Sequence, residues 1–347
     1  MRQHSTTTTS SNTGRIIFTL LSFAAMVAAS LYVVADNWPA GGMPWLAWQA
    51  HLAALSATIL EITTRAFKIQ TSARAVRLNL KFSTALRVCL GGDFAAAITP
   101  ARSGAEPARY LILAESGMHA GGRVMVLFLE LFLEMVSLVV VCFALAWMFA
   151  GRGASASALL ALVGGYSTFV LVAGAIGLML SRRNANGPPP VWARRIGLGA
   201  ARWRRVQHGL REIRSSVTLL GNARPGMLLL ALGGSILHVC FKVAALPVLV
   251  FLGDRAFAVT VDSLAPLVLY PLALFYGGVV VPAPGGGGFI EGAFAATLKG
   301  AIPVGIFAAS LVWWRFYTFY LYIVVGGLAA GNAALRAIRR RDAVSPQ

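Results

Sequence analysis

The chain has 347 residues, of which 57% are hydrophobic and only 12% are charged, and its mean hydropathy is +0.71. It carries several separate apolar runs of about twenty residues, the length that an α-helix needs to cross a hydrocarbon core of about 30 Å, so the composition indicates a polytopic membrane protein. The net charge of +18 comes from 30 Lys and Arg against 12 Asp and Glu, but the basic residues adjoin the apolar runs, which excludes a soluble nucleic-acid-binding domain and fits cytoplasmic loops.

Hydropathy predicts six membrane spans in chain order. The first begins directly after a short polar N-terminal segment and is too long for a signal-peptide core, so it is predicted to be an uncleaved helix. Two further apolar regions, at about 82–119 and 259–302, are each interrupted by a motif rich in Pro and Gly. The six predicted spans cover about residues 16–35, 45–64, 123–150, 157–181, 226–252 and 304–330.

Positive charge predicts which loops face the cytoplasm. Basic residues gather before the first span, between residues 65 and 81, in the loop 182–224 and after residue 335, whereas the connections 36–44 and 151–157 are poor in Lys and Arg. With those sides assigned, the region 82–119 must begin and end in the cytoplasm, and the region 259–302 must begin and end outside. Both are therefore predicted to be re-entrant hairpins, which enter from opposite faces of the membrane. The cytoplasmic cluster at 65–81 consists of Arg65, Lys68, Arg74, Arg77 and Lys81.

The predicted fold is an all-α polytopic membrane protein, with six transmembrane helices and two re-entrant helical hairpins in an inverted repeat. Residues 1–152 form the first repeat, residues 153–335 form the inverted second repeat, and residues 336–347 form a basic cytoplasmic tail. The loop 182–224 contains Trp192 and Trp203 among arginines, which favours an amphipathic helix on an anionic leaflet. Inverted repeats with broken helices are typical of secondary transporters, whose substrate site lies at the repeat interface.

The tip of the first hairpin reads "TPARSGAEPAR" (99–109). A helix that begins near Ser103 would place Glu106 and Arg109 on one face, and its free N–H groups together with the arginines would suit a phosphate. For Glu106 and Arg109, a pair that merely neutralises itself is an equal alternative. Arg102 is left without a partner by the turn, so anion binding is favoured there.

The tip of the second hairpin reads "PAPGGGGFIE" (282–291). Its glycines, Gly286 and Gly287 among them, would let the backbone approach a ligand closely or form an anion-binding nest, although a glycine run is by itself a weak signal. Glu291 follows this turn inside an apolar region. It is predicted to carry a proton or to pair with a buried arginine, for which Arg315 on the last span is the best candidate.

Two further pairs of polar residues share helix faces. Glu130 and Glu134 are one helical turn apart, so they need Arg102 or Arg109 nearby, or one of them is protonated; proton coupling and contact with a cationic headgroup both stay open. His238 and Lys242 have the same spacing, but packing and snorkelling are favoured for them. The sequence contains no motif for nucleophilic catalysis or metal binding, and its three cysteines are far apart, so no cofactor is predicted.

The segments "TPARSGAEPAR", "FLELFLE", "PAPGGGGFIEGAF" and "WWRFYTFY" together resemble the flippase-like transmembrane domain of lysylphosphatidylglycerol synthases, over about residues 15–335. Stand-alone relatives include a group associated with hopanoid biosynthesis. Ala105 between Gly104 and Glu106, and Leu131 where the family often has arginine, depart from the pattern. The residues that fall on the family motifs are Pro100, Arg102, Gly104, Glu106, Arg109, Glu130, Glu134, Pro284, Gly285, Gly286, Gly288, Glu291 and Arg315.

The resemblance implies a lipid translocase of the bacterial inner membrane with both termini in the cytoplasm, and not an enzyme, since the aminoacyl-transferase domain of bifunctional relatives is missing. Expected partners are an anionic phospholipid, an aminoacyl lipid, a glycolipid or a hopanoid, and no nucleic acid; a homo-oligomer and a separately encoded lipid-synthesis enzyme stay open. The alternatives are a membrane-embedded enzyme that uses Glu106 or Glu291 as acid or base, or a non-catalytic lipid-binding accessory. The expected substrate-binding residues are Arg102, Glu106, Arg109, Glu130, Glu134, Gly286, Gly287, Glu291 and Arg315.

Overall fold

The structure is a computed structural model that describes residues 27–38, 45–151, 154–182, 222–277 and 283–329, with a few isolated positions besides. Within these residues the chain is helical and contains no strand. The polar N-terminus, most of the basic loop 182–224 and the tail 336–347 lie outside the described residues. The helices are Val27–Asp36 (α1), Trp48–Ala75 (α2), Phe82–Ile98 (α3), Ala105–Glu115 (α4), Ala120–Met148 (α5), Ala154–Arg182 (α6), Pro225–Gly253 (α7), Val261–Gly277 (α8), Phe289–Leu298 (α9) and Val304–Ala329 (α10).

Four of these helices are long and apolar enough to cross a membrane. They are α5, the segment Ser157–Ile176 of α6, α7 and α10, and they coincide with four of the predicted spans. The class of polytopic all-α membrane protein is therefore confirmed. The first predicted span is described only from Val27 onward, so the arrangement of six spans with two re-entrant hairpins stays a prediction.

The helix that contains the second predicted span does not end at residue 64. Helix α2 continues without a break to Ala75, and Arg65 and Lys68, which were expected in a cytoplasmic loop, are both buried. Burial is tolerated because each side chain meets a carboxylate from another helix. Arg74 and Arg77, close to the end of the helix, are exposed.

Helices α2 and α7 pack along each other more extensively than any other pair of helices that the structure describes. Ala50 and Ala54 of α2 are completely buried and belong to the same core cluster as Ala245 of α7. On α7, a Cβ atom added to Gly234 would lie 3.4 Å from the carbonyl oxygen of Thr64 on α2. Small side chains let the two backbones approach closely, and this packing stabilises helix pairs in a bilayer, where burial of apolar surface adds little.

Helices α3 and α4 form the first hairpin. Thr99 ends α3 in an extended conformation (ψ 142°), as expected for a residue before a proline. Its hydroxyl donates to the carbonyl of Ala95 (2.7 Å) and accepts from the N–H of Gly104 (2.9 Å), which closes the turn. Within the turn, Ala101 (φ 50°) and Arg102 (φ 56°) both have left-handed backbone conformations, which residues with a Cβ rarely adopt.

Helices α8 and α9 form the second hairpin, and its turn contacts the turn of the first. The segment Pro284–Gly286 lies against Pro100–Arg102 and against α3. Gly285 has a φ of 60°, and a Cβ atom there would lie 2.1 Å from the Phe319 ring of α10. Glycine is therefore required twice at this position, for its backbone conformation and for space. The two tips that the sequence singled out thus meet in space.

Gly326 provides a test of the packing between α10 and the first hairpin. A Cβ atom on this buried glycine would lie 2.5 Å from the carbonyl oxygen of Leu90. Because that atom is backbone and cannot rotate away, Gly326→Ala is expected to lower stability by about 1–3 kcal/mol. Thermal unfolding of the purified protein in detergent measures the effect.

Gly233→Ala is the matched control, since Gly233 lies on an exposed face of α7 with no heavy atom within 4 Å of the added Cβ. There alanine should leave the unfolding temperature unchanged or raise it, because its helix propensity exceeds that of glycine by about 1 kcal/mol. Equal unfolding temperatures for the two variants would contradict the packing described here.

Candidate functional site

The long helices carry a network of buried ion pairs near their midpoints. Arg65 on α2 donates to both carboxylate oxygens of Asp93 on α3, with Nη1 3.1 Å from Oδ1. One helical turn earlier on α2, Glu61 lies 3.8 Å from Arg65 Nε and accepts a hydrogen bond of 2.5 Å from the hydroxyl of Tyr322 on α10. A two-pronged arginine–carboxylate pair sets geometry as well as charge, so this pair determines how α3 lies against α2.

Glu134 on α5 is the second centre of the network. Its carboxylate accepts from the Lys68 ammonium (2.9 Å) and from the hydroxyl of Tyr276 (3.1 Å). His238 on α7 is fully buried between two carboxylates, with Nδ1 2.9 Å from Glu61 Oε1 and Nε2 3.8 Å from Glu134 Oε1. Packing with snorkelling was favoured for this histidine, but it lies inside the ionic network.

Arg109 joins the first hairpin to α5. Its Nη1 atom lies 3.0 Å from Glu106 Oε1 and 3.1 Å from Glu130 Oε1, and its Nη2 atom lies 3.8 Å from Asp93 Oδ1. The predicted pair of Glu106 and Arg109 on one helix face is therefore confirmed, although α4 begins at Ala105. Of the expected carboxylate partners, Glu130 pairs with Arg109, whereas Glu134 pairs with Lys68. With three carboxylates around it, this guanidinium has little charge left for a ligand.

A cavity of about 60 Å³ lies between the two hairpin turns and the central helices. Its wall combines five charged side chains with aromatic rings and small residues. Several elements contribute to it, so the cavity exists only because the helices assemble. The lining residues include Glu61, Arg65, Asp93, Arg102, Lys242, Phe275, Gly285, Thr318, Phe319 and Tyr322.

The second hairpin has an ion pair of its own outside the wall of this cavity. Arg315 Nε donates to Glu291 Oε1 (2.7 Å), and the other carboxylate oxygen accepts from the N–H of Gly288 (2.7 Å). The predicted partnership of Glu291 with Arg315 is thus confirmed. The guanidinium also lies 4.3 Å from the centre of the Phe319 ring. Glu291 therefore caps α9 and joins it to α10, and both charged side chains are at least 95% buried.

The predicted site residues occupy three different environments. Arg102 lines the cavity; Glu106 is largely exposed, while Arg109, Glu130 and Glu134 belong to the adjoining ion pairs. Gly286 and Gly287 lie buried in the second turn, beside the lining residue Gly285. Glu291 and Arg315 pair with each other behind that turn. Nothing in this placement tests lipid binding, which stays a prediction for all nine residues.

Sequence reasoning missed Glu61, Arg65 and Lys68 as site residues. The signal that could have found them is their spacing of four and seven residues, which places them on one face of a helix if the helix is continued past residue 64. Lys242 was noticed, but the preference for packing and snorkelling gave no reason to place it in a cavity.

Comparison with known proteins finds a family whose model matches this chain. The sequence model described as the lysylphosphatidylglycerol synthase TM region matches residues 14–326, which is most of the chain. A search of curated proteins finds no significant match. The matched range contains both hairpins and every charged residue of the buried network.

The pair of Glu291 and Arg315 yields a stability prediction. Arg315→Met would leave a carboxylate buried without its charged partner, so we expect a loss of about 3–5 kcal/mol. Thermal unfolding in detergent measures this loss, and adding Glu291→Gln to the same protein should recover part of it by removing the stranded charge.

Arg87→Met is the matched control. Arg87 pairs with Glu115 at 3.2 Å, but both side chains are at least one-third exposed, and such pairs contribute only about 0–1 kcal/mol. If Arg315→Met were no more destabilising than Arg87→Met, the buried pair would not have the structural role assigned to it.

Proposed function

The chain belongs to the family of the lysylphosphatidylglycerol synthase transmembrane region, and on that premise we propose that it is a lipid translocase. It moves a phospholipid, or a lipid with a modified headgroup, through the space between the two hairpin turns, while the acyl tails stay in the bilayer. One observation carries the proposal: turns from two separate hairpins meet beside a charged cavity, close to the midpoints of α2 and α7.

Matched helix contacts support an inverted repeat, with the halves 1–152 and 153–335. In the first half α2 contacts α3 and α5; in the second half the corresponding helix α7 contacts α8 and α10. Across the halves, α5 contacts α7, and α10 contacts α2 through its π-helical segment Phe316–Tyr320. These three pairs of contacts match each other across the halves, as a two-fold relation would have them. Such a relation places a substrate site at the repeat interface.

The proposed topology makes both hairpins re-entrant and places both termini in the cytoplasm of a bacterial inner membrane. Its support is the group of exposed basic residues at the end of α2 and just after it, Arg74, Arg77 and Lys81. Non-helical backbone at membrane depth requires cover by protein or a wet cavity. The two turns cover each other, which is consistent with their lying within the bilayer.

Transport through this site requires movement of the hairpin turns. A cavity of about 60 Å³ holds a few waters at most, so a phospholipid headgroup enters only if the turns separate. The paired helices α2 and α7 form the interior against which the turns would move. In this proposal the conformation described here is the closed one, and opening of one turn at a time would expose the cavity to one leaflet.

The carboxylates favour transport over an embedded enzyme. Glu291, one of the two acid–base candidates, is buried in an ion pair and also accepts from a backbone N–H. Glu61 and Asp93, the carboxylates that line the cavity, are held by Arg65 and Tyr322. Groups held in this way balance charge well but are poorly placed to exchange protons with a substrate. We therefore propose a transporter and not an enzyme.

A liposome assay tests the translocase proposal. Purified protein in phosphatidylcholine vesicles that contain a fluorescent phospholipid should make the inner-leaflet label accessible to an impermeant quencher faster than in protein-free vesicles. Arg102→Ala should slow this movement by about tenfold or more, because it removes a charge-assisted contact to the headgroup phosphate.

Arg87→Ala is the control for the assay, since Arg87 forms an exposed ion pair and does not line the cavity. It should move lipid at the rate of the unsubstituted protein. Equal rates for Arg102→Ala and Arg87→Ala would remove the role proposed for Arg102, and a rate no faster than in protein-free vesicles would refute translocation of the lipid tested.

A further inference from the structure

We propose that Lys242 and Arg102 together form a binding site for a phosphate ester that carries a net negative charge and no ammonium group. The site is the cavity between the hairpin turns, so the inference rests on the location of the translocase site but names the chemistry of its ligand. Lys242 reaches the cavity from α7, and Arg102 reaches it from the turn of the first hairpin. Two cations from separate elements would thus hold one anion.

The cavity wall has more cations than carboxylates. Both carboxylates in its wall are already bound: Asp93 by the guanidinium of Arg65, and Glu61 by the hydroxyl of Tyr322, with Arg65 and His238 beside it. Arg65 is occupied in the same contacts. Of the two remaining cations, Lys242 has no such contact, and Arg102 approaches only Asp93, at 4.0 Å. The wall therefore carries three cations against two carboxylates and presents positive charge to whatever enters.

Lys242 has no carboxylate within 4 Å among the residues that the structure describes. Its ammonium lies instead 5.0 Å from the centre of the Phe275 ring and 5.3 Å from that of Tyr276. Aromatic faces hold an ammonium in place without neutralising it. The residue lies well inside the 29-residue helix α7, too far from either end for the side chain to reach an aqueous surface by snorkelling. A charge kept at this depth with no carboxylate in direct contact indicates a ligand that brings a negative charge to it.

Arg102 is presented by an unusual backbone. Ala101 and Arg102 are consecutive residues with Cβ atoms and positive φ values, in the turn that contacts the second hairpin. Such conformations persist where the surroundings impose them, and they concentrate at ligand sites. The nearest acidic atom to the guanidinium is Asp93 Oδ1 at 4.0 Å, and 39% of the side chain is exposed. The turn therefore offers a guanidinium fork to the cavity with most of its hydrogen-bonding capacity unused.

The same charges select against an ammonium headgroup. A phosphodiester has one negative charge, which the lysine and the arginine can share through hydrogen bonds. A zwitterionic headgroup would add an ammonium to a wall where every carboxylate is already paired, so that group would meet two cations without an acceptor. The chemistry shared by acceptable ligands is an unneutralised phosphate ester, whether it is the headgroup of a phospholipid or a free phosphate.

Native mass spectrometry of the purified protein tests this inference without any transport step. The protein in detergent is offered equal amounts of dioleoyl phosphatidylglycerol and dioleoyl phosphatidylethanolamine. We expect about tenfold preference for phosphatidylglycerol. Lys242→Met should abolish that preference, and Lys242→Arg, which keeps the charge, should retain it. Lys299→Met is the matched control, because Lys299 is exposed and lies outside the cavity wall.

A second arm identifies the source of the phosphate. If a millimolar excess of inorganic phosphate or glycerol phosphate displaces the bound phosphatidylglycerol, the cavity recognises phosphate by itself; if the lipid stays bound, the acyl chains contribute to recognition. Both results support the anion site. Equal retention of the two lipids by the unsubstituted protein, or an undiminished preference in Lys242→Met, would overturn it. Monodispersity in size-exclusion chromatography, together with the Lys242→Arg protein, separates loss of binding from loss of folding.

The liposome assay, taken together with the binding measurement, shows whether the anion site or the translocase proposal is wrong. Lys242-dependent preference for phosphatidylglycerol without lipid movement would leave the anion site standing and remove the transport function. Movement of both lipids at equal rates, with binding that is insensitive to Lys242→Met, would support the transport function and overturn the anion site.

Discussion

The pairing of buried charges is the constraint on which this structure depends. An ionised side chain in the hydrocarbon region has no water to solvate it, so it must meet an opposite charge or a hydrogen-bonding group from the protein. Arg65 with Asp93, Lys68 with Glu134, and Arg109 with Glu130 each connect two different helices. Breaking one pair strands a charge, whereas a shift of α2 or α5, which each carry more than one member of the network, would break several pairs together. The network therefore specifies how the helices are arranged, beyond any contribution to net stability.

The hairpin turns satisfy a second constraint, which is the close approach of two irregular backbones. Proline ends α3, and glycine permits the left-handed conformation of Gly285 against the ring of Phe319. Contact between the turns shields their backbones, which the proposed position inside the bilayer would require. The turns also bring together side chains from both halves of the chain, so the same feature that protects the backbone creates the cavity.

These two constraints meet in the cavity wall. The acidic groups of the wall are held by ion pairs and hydrogen bonds, and Lys242 and Arg102 are the cations that these contacts do not use. The turn of the first hairpin places Arg102 at the cavity. Arg315 and Arg109, which look like anion-binding residues when single residues are considered, are occupied by Glu291 and by Glu130. The charge of the site therefore comes from the few charged side chains that structural ion pairs do not engage.

Much of the architecture could be predicted from the chain alone. The spans α5, α6, α7 and α10 follow from hydropathy, and the interrupted regions from their prolines and glycines. The pair of Glu106 and Arg109 follows from helical spacing, and Arg315 was identified as the best candidate partner of Glu291 on the last span. Each of these features depends on local pattern or on a short inventory of residues.

The burial of Arg65 and Lys68, the central position of His238 and the exposure of Lys242 to the cavity were decided only by the tertiary structure. Arg65 meets a carboxylate 28 residues away and Lys68 meets one 66 residues away. A hydropathy value is a sum over one segment of the chain, so it predicts that cations such as Arg65 and Lys68 are exposed to water. The free energy of placing a charge in a membrane depends on the group across from it, and only the assembled helices determine which group that is.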